Sequence, residues 1–213
     1  MRKLKFKICG IKDLKILDCC ISNKVDFFGL IFYLKSPRNI NLENAIKLTT
    51  YSNNKPISSV GVFVDEPISE LQILLKKIKL DYIQLHGEED PYYISNIKKN
   101  NSVKIIKVIS INSKEDLTKI KEYPNADFIL FDYKPSKDEL PGGNSKKFSW
   151  NLIRNINIKQ PWFLSGGINI QNINKIKNYA IPYGIDISSG VEVSEGNKGI
   201  DKINSLFKHY DSK

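Results

Sequence analysis

The sequence predicts an α/β protein with the (β/α)8 architecture of the TIM barrel, and three observations support this prediction. Short runs of β-branched and aromatic residues alternate along the whole chain with longer stretches of helical periodicity. About eight such units fit into 213 residues, which is close to the lower size limit of this barrel. The paired glycines occur late in the chain. Because no linker or low-complexity segment interrupts the series, we expect one barrel domain over residues 1–213.

The predicted strands are short apolar segments bounded by turn-forming residues. In chain order they are Leu4–Cys9, Val25–Phe32, Ile57–Val64, Asp81–Leu85, Val103–Ile109, Ala126–Phe131, Trp162–Ser165 and Gly184–Ser188. Strands that alternate with helices need crossover connections, and these produce a parallel sheet.

The segments between the strands carry apolar residues every three or four positions, as at Leu14, Leu17 and Ile21 in the first segment. We expect the third helix to open at Glu66-Pro67 and the fourth at Asp90-Pro91. Proline in a first turn sacrifices no intrahelical hydrogen bond, and an acidic residue suits the positive end of a helix. Each helix would cover the sheet with its apolar face.

An open, doubly wound sheet is the alternative architecture, because periodicity does not distinguish the two folds. A dinucleotide-binding sheet would carry its glycine-rich fingerprint after the first strand. Here Gly166-Gly167 and Ser188-Ser189-Gly190 follow the last two predicted strands. Barrels of this class commonly hold a phosphate group there, so the late glycines favour the barrel.

Composition narrows the functional classes. The net charge of +10 suggests nucleic-acid binding, but lysine is spread along nearly every segment, which is more typical of a solvated surface. No apolar run approaches the roughly 18 residues of a membrane span, so we expect no membrane association. Cys9, Cys19 and Cys20 form no paired disulfide framework, and we therefore expect a cytoplasmic protein.

Polar residues stand at the predicted carboxyl ends of the strands, where barrel enzymes place their chemistry. They are Cys9, Asp65, Gln84, His86, Asp132 and Asp186. With two histidines in the chain, one of them near the carboxyl terminus, no histidine cluster exists and we expect no metal site.

Seven motifs, each at or near an expected strand end, resemble those of phosphoribosylanthranilate isomerase. In order they are Lys7-Ile-Cys-Gly10, Ser36-Pro-Arg38, Val60-Gly-Val-Phe-Val64, Gln84-Leu-His-Gly87, Pro141-Gly-Gly143, Leu164-Ser-Gly-Gly-Ile-Asn169 and Gly184-Ile-Asp-Ile-Ser-Ser-Gly-Val-Glu192. Each motif alone is weak evidence for the family, but seven motifs in the same order are strong evidence. The resemblance covers essentially the whole chain. It implies a TIM barrel of tryptophan biosynthesis that performs an Amadori rearrangement on a small phosphorylated substrate, without metal or organic cofactor.

The resemblance also implies roles for individual residues. Cys9 would be the base that removes the proton from the sugar C2, and Asp132 the acid that protonates the ring oxygen. Cys9 would suit this role if the pKa of its thiol were lowered. Arg38 would hold the anthranilate carboxylate through its planar fork of donors. From the residues alone, Cys9 could instead be a packing residue, Asp132 a loop cap or partner of Lys134, and Arg38 part of a surface salt bridge.

Further residues are expected to support the substrate. Gln84 and His86 would form hydrogen bonds around the reacting groups, and Asp186 would accept one from a substrate hydroxyl, although polar networking within the core is an equal alternative. Backbone N–H groups at the late glycine loops would hold the phosphate. These loops contain Gly166, Gly167, Ser188, Ser189 and Gly190.

Two segments depart from the family pattern. Asn144-Ser145 replaces Thr-Gly after Pro141-Gly-Gly143, and Ser149 replaces an aspartate between Phe148 and Trp150. We expect the first change to stiffen a loop over the substrate and Ser149 to cap a helix.

The nearest rival function is the related Amadori isomerisation of the histidine pathway. That class usually has an aspartate as base and a second phosphate loop, whereas this chain has Cys9 and no comparable second loop.

Overall fold

The computed structural model describes residues 4–134, 136, 142, 148–154 and 156–211. Within these residues eight parallel strands form a closed barrel, in which each strand pairs with the next and β8 returns to β1. The strands are β1 Lys5–Cys9, β2 Phe27–Ile31, β3 Ser58–Phe63, β4 Tyr82–Leu85, β5 Lys104–Ile111, β6 Phe128–Tyr133, β7 Trp162–Leu164 and β8 Gly184–Ile187. All eight predicted strands are confirmed, and the open-sheet alternative is wrong.

The helices of the first half are α-helical, whereas those of the second half are mostly 3₁₀. The α-helices are α1 Leu14–Ser22, α2 Leu42–Ser52, α3 Ile68–Lys77, α4 Pro91–Asn100 and α5 Ile200–Asp211. The described 3₁₀ helices are Glu115–Glu122, Trp150–Ile153, Ile173–Asn178 and Ser189–Val191. These segments are short and contain residues of low helix propensity, so tertiary packing rather than propensity holds them.

Side-chain caps begin several of the α-helices. Asp13 accepts a hydrogen bond from the Ile16 N–H at 2.9 Å, and Asp90 accepts one from the Tyr93 N–H at 2.7 Å. Asp90-Pro91 therefore starts α4 as predicted, with proline at the first helical position. The prediction for α3 was two residues early, because Pro67 is its N-cap and Glu66 lies outside the helix.

A small antiparallel hairpin follows β8 and was not predicted. It consists of β9 Glu192–Ser194 and β10 Asn197–Lys198, and Gly196 turns the chain with a φ of 77°. Strands of two and three residues carry too little periodicity to be recognised in a sequence. The hairpin matters because it brings Glu192 and Lys198 to the carboxyl end of the barrel.

The barrel interior is divided by depth. Its amino-terminal half is filled by an apolar cluster of Phe27, Val60, Ile106, Val108, Phe128, Leu130 and Phe163. The larger apolar core lies between the strands and the surrounding helices. Polar inward-facing residues occupy the carboxyl-terminal half. No helix in the described ranges combines the length and apolar content needed to cross a membrane.

Aspartates connect the strands in pairs at the amino-terminal rim. In each case an aspartate just before an even-numbered strand accepts a hydrogen bond from a backbone N–H of the preceding odd-numbered strand. The bonds run from Phe6 N to Asp26 at 2.9 Å, from Ser59 N to Asp81 at 2.8 Å and from Ile105 N to Asp127 at 2.8 Å. The rim is therefore joined as β1–β2, β3–β4 and β5–β6.

Candidate active site

A cleft of about 480 Å³ opens at the carboxyl end of the barrel. It brings together residues that lie far apart in the chain and were all candidate site residues: Cys9, Arg38, Gln84, His86, Asp132, Asp186 and Ser188. Ser165, immediately before the paired glycines, also lines the cleft. Most of these residues lie at or just after the carboxyl ends of strands, where the sequence analysis expected them, whereas Arg38 lies in the loop between β2 and α2.

Cys9 ends β1, and its thiol is buried against β2. A Cβ placed on Gly29 would lie 2.6 Å from Cys9 Sγ, so only glycine leaves room for the thiol. Burial raises the pKa of the Cys9 thiol, while the positive charges of Lys7 and Lys198 oppose that change. A lowered thiol pKa was the condition for Cys9 to act as a base, and here desolvation outweighs the nearby positive charges.

Asp186 is joined to a buried lysine. Lys7 Nζ donates to Asp186 Oδ1 at 3.0 Å, and both side chains are almost fully excluded from solvent. Burial raises the pKa of the Asp186 carboxyl, and the Lys7 ammonium opposes this. Lys7 was not among the predicted site residues, although its position two residues before Cys9 on a strand places both side chains on one face.

Asp132 faces His86 across the top of the barrel. His86 Nε2 lies 3.4 Å from Asp132 Oδ2, and Gln84 Nε2 lies 3.0 Å from His86 Nδ1. When the Gln84 amide donates to Nδ1, the neutral ring carries its proton on Nε2, toward Asp132. Lys134 pairs with Asp116 at 2.7 Å, so Asp132 is not the partner of Lys134.

A second buried ion pair holds the loop that carries His86. Lys107 Nζ bonds to Glu89 Oε2 at 2.8 Å and to the Gly87 carbonyl at 2.6 Å. Glu89 in turn accepts hydrogen bonds from the N–H groups of Asp65 and Gly87. Asp65, which was noted at a strand end, therefore serves here as part of the loop scaffold.

Gly142 approaches this group from the next loop. A Cβ on Gly142 would lie 2.9 Å from His86 Cε1 and 3.6 Å from Asp132 Oδ2. Pro141, Gly143, Asn144 and Ser145 lie outside the described residues. Ser149 stands at the N-cap of the 3₁₀ helix Trp150–Ile153, but its side chain makes no capping hydrogen bond, so that expectation is wrong.

Arg38 is buried and forms a two-pronged salt bridge. Its Nε and Nη2 donate to the two oxygens of Glu192 at 2.7 and 2.8 Å, so the alternative of a surface salt bridge is wrong. Lys198 Nζ reaches Glu192 Oε1 at 2.6 Å and Ser188 Oγ at 3.1 Å. Burial raises the pKa of Glu192, but the positive charges of Arg38 and Lys198 lower it to about 2. Glu192 and Lys198 were not predicted as site residues, although Glu192 is the last residue of the motif that begins at Gly184.

The two late glycine loops lie against each other. Gly166 and Gly167 have φ values of 89° and 63°, a region that favours glycine. A Cβ on Gly190 would lie 1.9 Å from the Ile168 carbonyl oxygen. Asn172 Nδ2 donates to the Gly167 carbonyl at 2.9 Å and orders the first loop. The two loops are therefore in close backbone contact.

The described residues contain no group of three or more His, Cys, Asp or Glu side chains that could hold a metal ion. What the cleft does contain is a thiol, a carboxylate beside an imidazole, and an arginine fixed in orientation. Such a set can move protons on a bound anionic substrate.

Comparison with known proteins gives a consistent result. The family model described as N-(5'phosphoribosyl)anthranilate (PRA) isomerase matches residues 6–209. The N-(5'-phosphoribosyl)anthranilate isomerase of Paramagnetospirillum magneticum is 35% identical over 207 residues, 96% of each chain. That of Rhizobium johnstonii is 37% identical over 203 residues, 94% of this chain and 91% of the relative.

Solved structures agree with the sequence comparison. Phosphoribosyl anthranilate isomerase from Thermotoga maritima superimposes with a TM-score of 0.87 at 29% identity, over 99% of this chain and 100% of that one. A second structure of such an isomerase holds reduced 1-(o-carboxyphenylamino)-1-deoxyribulose 5-phosphate. It superimposes with a TM-score of 0.82 at 28% identity, with the same coverage of 99% and 100%.

Proposed function

Because this chain belongs to the N-(5'-phosphoribosyl)anthranilate isomerase family, we propose that it performs the Amadori rearrangement of tryptophan biosynthesis. The substrate would be N-(5'-phosphoribosyl)anthranilate and the product 1-(2-carboxyphenylamino)-1-deoxyribulose 5-phosphate. This is an intramolecular redox reaction of the aldose–ketose type, because C2 is oxidised while C1 is reduced. The observation that carries the proposal is one cleft holding Cys9, Asp132 and Arg38 on separate parts of the chain.

We assign the acid and base as follows. Asp132 donates a proton to the ring oxygen, which opens the ring and leaves a double bond between C1 and the anthranilate nitrogen. The Cys9 thiolate then removes the C2 proton, and the electron pair gives an enolamine. Protonation at C1 and loss of the hydroxyl proton at C2 complete the ketone. The His86 Nε2 near Asp132 supports this carboxyl group in its role.

The ends of the substrate would be held by groups of matching charge. Arg38 would contact the anthranilate carboxylate, and Glu192 fixes the plane of its guanidinium. The loops around Gly167 and Gly190 would hold the phosphate through backbone N–H groups. The ligand of the related structure carries both anionic groups, which supports this class of substrate.

We also propose a small phosphorylated molecule as the binding partner and the cytoplasm as the location. All three cysteines are buried free thiols, which supports a reducing compartment.

The direct test forms the substrate in place from anthranilate and phosphoribosyl pyrophosphate and follows the loss of fluorescence on adding the protein. We expect Cys9→Ala and Asp132→Asn each to reduce turnover by about two to four orders of magnitude. Cys19→Ala and Asp127→Asn are matched controls. Cys19 lies on α1, and Asp127 lies at the opposite end of β6 from Asp132, so both should retain turnover. Absence of activity in the wild-type protein would contradict the proposal.

A further inference from the structure

The buried ammonium of Lys7 has no part in the acid and base assignment above. It lies inside the barrel, between the apolar cluster and the cleft, with none of its surface exposed. An unpaired charge in such a place would cost several kcal/mol. The Asp186 carboxylate, at 3.0 Å, compensates the charge of Lys7. Burial lowers the pKa of Lys7, but this carboxylate and Cys9 raise it by more, so the pKa is raised overall. The ammonium therefore stays charged at neutral pH.

Lys7 and Cys9 face the same way. They are two residues apart on β1, so both side chains point into the barrel, and the ammonium interacts with the thiol above it. Both side chains are buried, so the charge of Lys7 acts on Cys9 more strongly than it would at a surface.

We propose that Lys7 is a positioning residue for the proposed isomerisation: its ammonium, which is paired with Asp186 inside the barrel, stabilises the Cys9 thiolate. This proposal rests on the proposed function, in which Cys9 is the base. In the proposed step the thiolate accepts the C2 proton and becomes the thiol. No bond to sulfur other than S–H forms or breaks.

Other charged groups face Cys9 from the surrounding elements. Lys198 on β10 also favours the thiolate, and Asp186 on β8 disfavours it. Lys198 is committed to Glu192 and Ser188, and its effect on Cys9 is smaller than that of Lys7. The remaining charged or titratable residues that line the cleft are Tyr33, Arg38, His86 and Asp132.

The test measures the thiolate directly. The absorbance of the Cys9 thiolate near 240 nm is titrated against pH in the protein without substrate, and the titration of the same protein carrying Cys9→Ala is subtracted. We expect Lys7→Met to raise the midpoint by at least about one pH unit, a tenfold loss of thiolate below it. We expect Asp186→Asn to lower the midpoint, because it removes a negative charge and leaves the ammonium.

The two variants form a matched pair, since each breaks the same ion pair and loses stability for the same reason. A merely structural role would leave both midpoints unchanged or move them in the same direction, and either result would overturn the proposal. Lys7→Met combined with Asp186→Leu avoids an unpaired buried charge if a single variant does not fold. Its midpoint should also rise, because the effect of Lys7 exceeds that of Asp186; an unchanged midpoint would count against the proposal.

The titration needs no substrate, so its failure is distinct from failure of the proposed function. With active protein, the acidic limb of the kcat/KM profile should move with the thiolate midpoint in Asp186→Asn and Lys7→Met alike. Shifted midpoints in a protein without isomerase activity would overturn the proposed function alone.

Discussion

Replacing Gly190 by alanine tests whether contact between the two glycine loops sets the geometry of the proposed phosphate site. The added Cβ would lie 1.9 Å from the Ile168 carbonyl oxygen and 2.9 Å from its carbonyl carbon. Both atoms are backbone, so no side chain can rotate away. Restoring even a tight contact of 3.0 Å requires the loops to separate by about 1.1 Å.

A displacement of that size is large for a catalytic site. Misplacing a bound substrate by about 1 Å typically costs about 100-fold in rate, and we expect kcat/KM of Gly190→Ala to fall by about that factor. The fall should appear in kcat as well as in KM, because displacement of the phosphate weakens its contacts and also misplaces the reacting atoms. Overpacking should also lower the free energy of unfolding by about 1–3 kcal/mol. Fluorescence assays of initial rate give the kinetic values, and urea unfolding gives the stability.

Gly199→Ala is the matched control. Its Cβ would meet Val193 Cγ1 at 2.6 Å, but that side chain is 65% exposed and can rotate into solvent. Kinetics within about twofold of wild type are expected for this variant. Wild-type kcat/KM in Gly190→Ala would refute the argument that the loop contact positions the phosphate.

Two further predictions concern charged residues. Arg38→Lys should raise KM about 10- to 100-fold because an ammonium cannot reproduce two-pronged contacts, and the deficit should vanish with an analogue that lacks the carboxylate; an equal deficit would contradict the assignment. Asp116 accepts hydrogen bonds from two backbone N–H groups and Lys134, and despite burial these lower its pKa to about 2. Asp116→Asn should therefore cost about 1–2 kcal/mol of unfolding free energy at pH 7. Since the folded pKa lies below the unfolded value of 3.8, this cost should disappear between about pH 4 and pH 2 in urea titrations, and a cost that persists there would refute the reasoning.

The strands were predictable because each is a short apolar run between turn residues. Most of the seven cleft-lining residues predicted from the sequence come together because the parallel topology brings the carboxyl ends of the strands to one end of the barrel, and Arg38 reaches the cleft from the loop after β2. What periodicity does not encode is the partner of each side chain. Lys7 and Asp186 are 179 residues apart, and Arg38 and Glu192 are 154 residues apart. Their pairing depends on barrel closure and on a hairpin too short to leave a pattern.

The pKa of the Cys9 thiol shows a different limit of prediction from the sequence. Nearby cations would lower its pKa, and the sequence places Lys7 close to it, but burial depends on the whole surrounding structure. Arg38 shows the same limit, because its sequence position does not reveal that it is buried against Glu192. Its burial with Glu192 means that Arg38→Lys should also reduce stability, since one of the two contacts to the carboxylate is lost.

The paired aspartates at the amino-terminal rim divide the barrel into units of two strands. A chain break in the exposed turn at Asn53-Asn54 leaves the contacts of Asp26 with β1 and of Asp81 with β3 each within one fragment. A break at Asn23-Lys24 instead places Asp26 and its Phe6 partner on separate fragments. The barrel is therefore built for assembly from β-α-β-α modules, and split-protein or module-exchange designs have natural boundaries after the even-numbered strands and their helices.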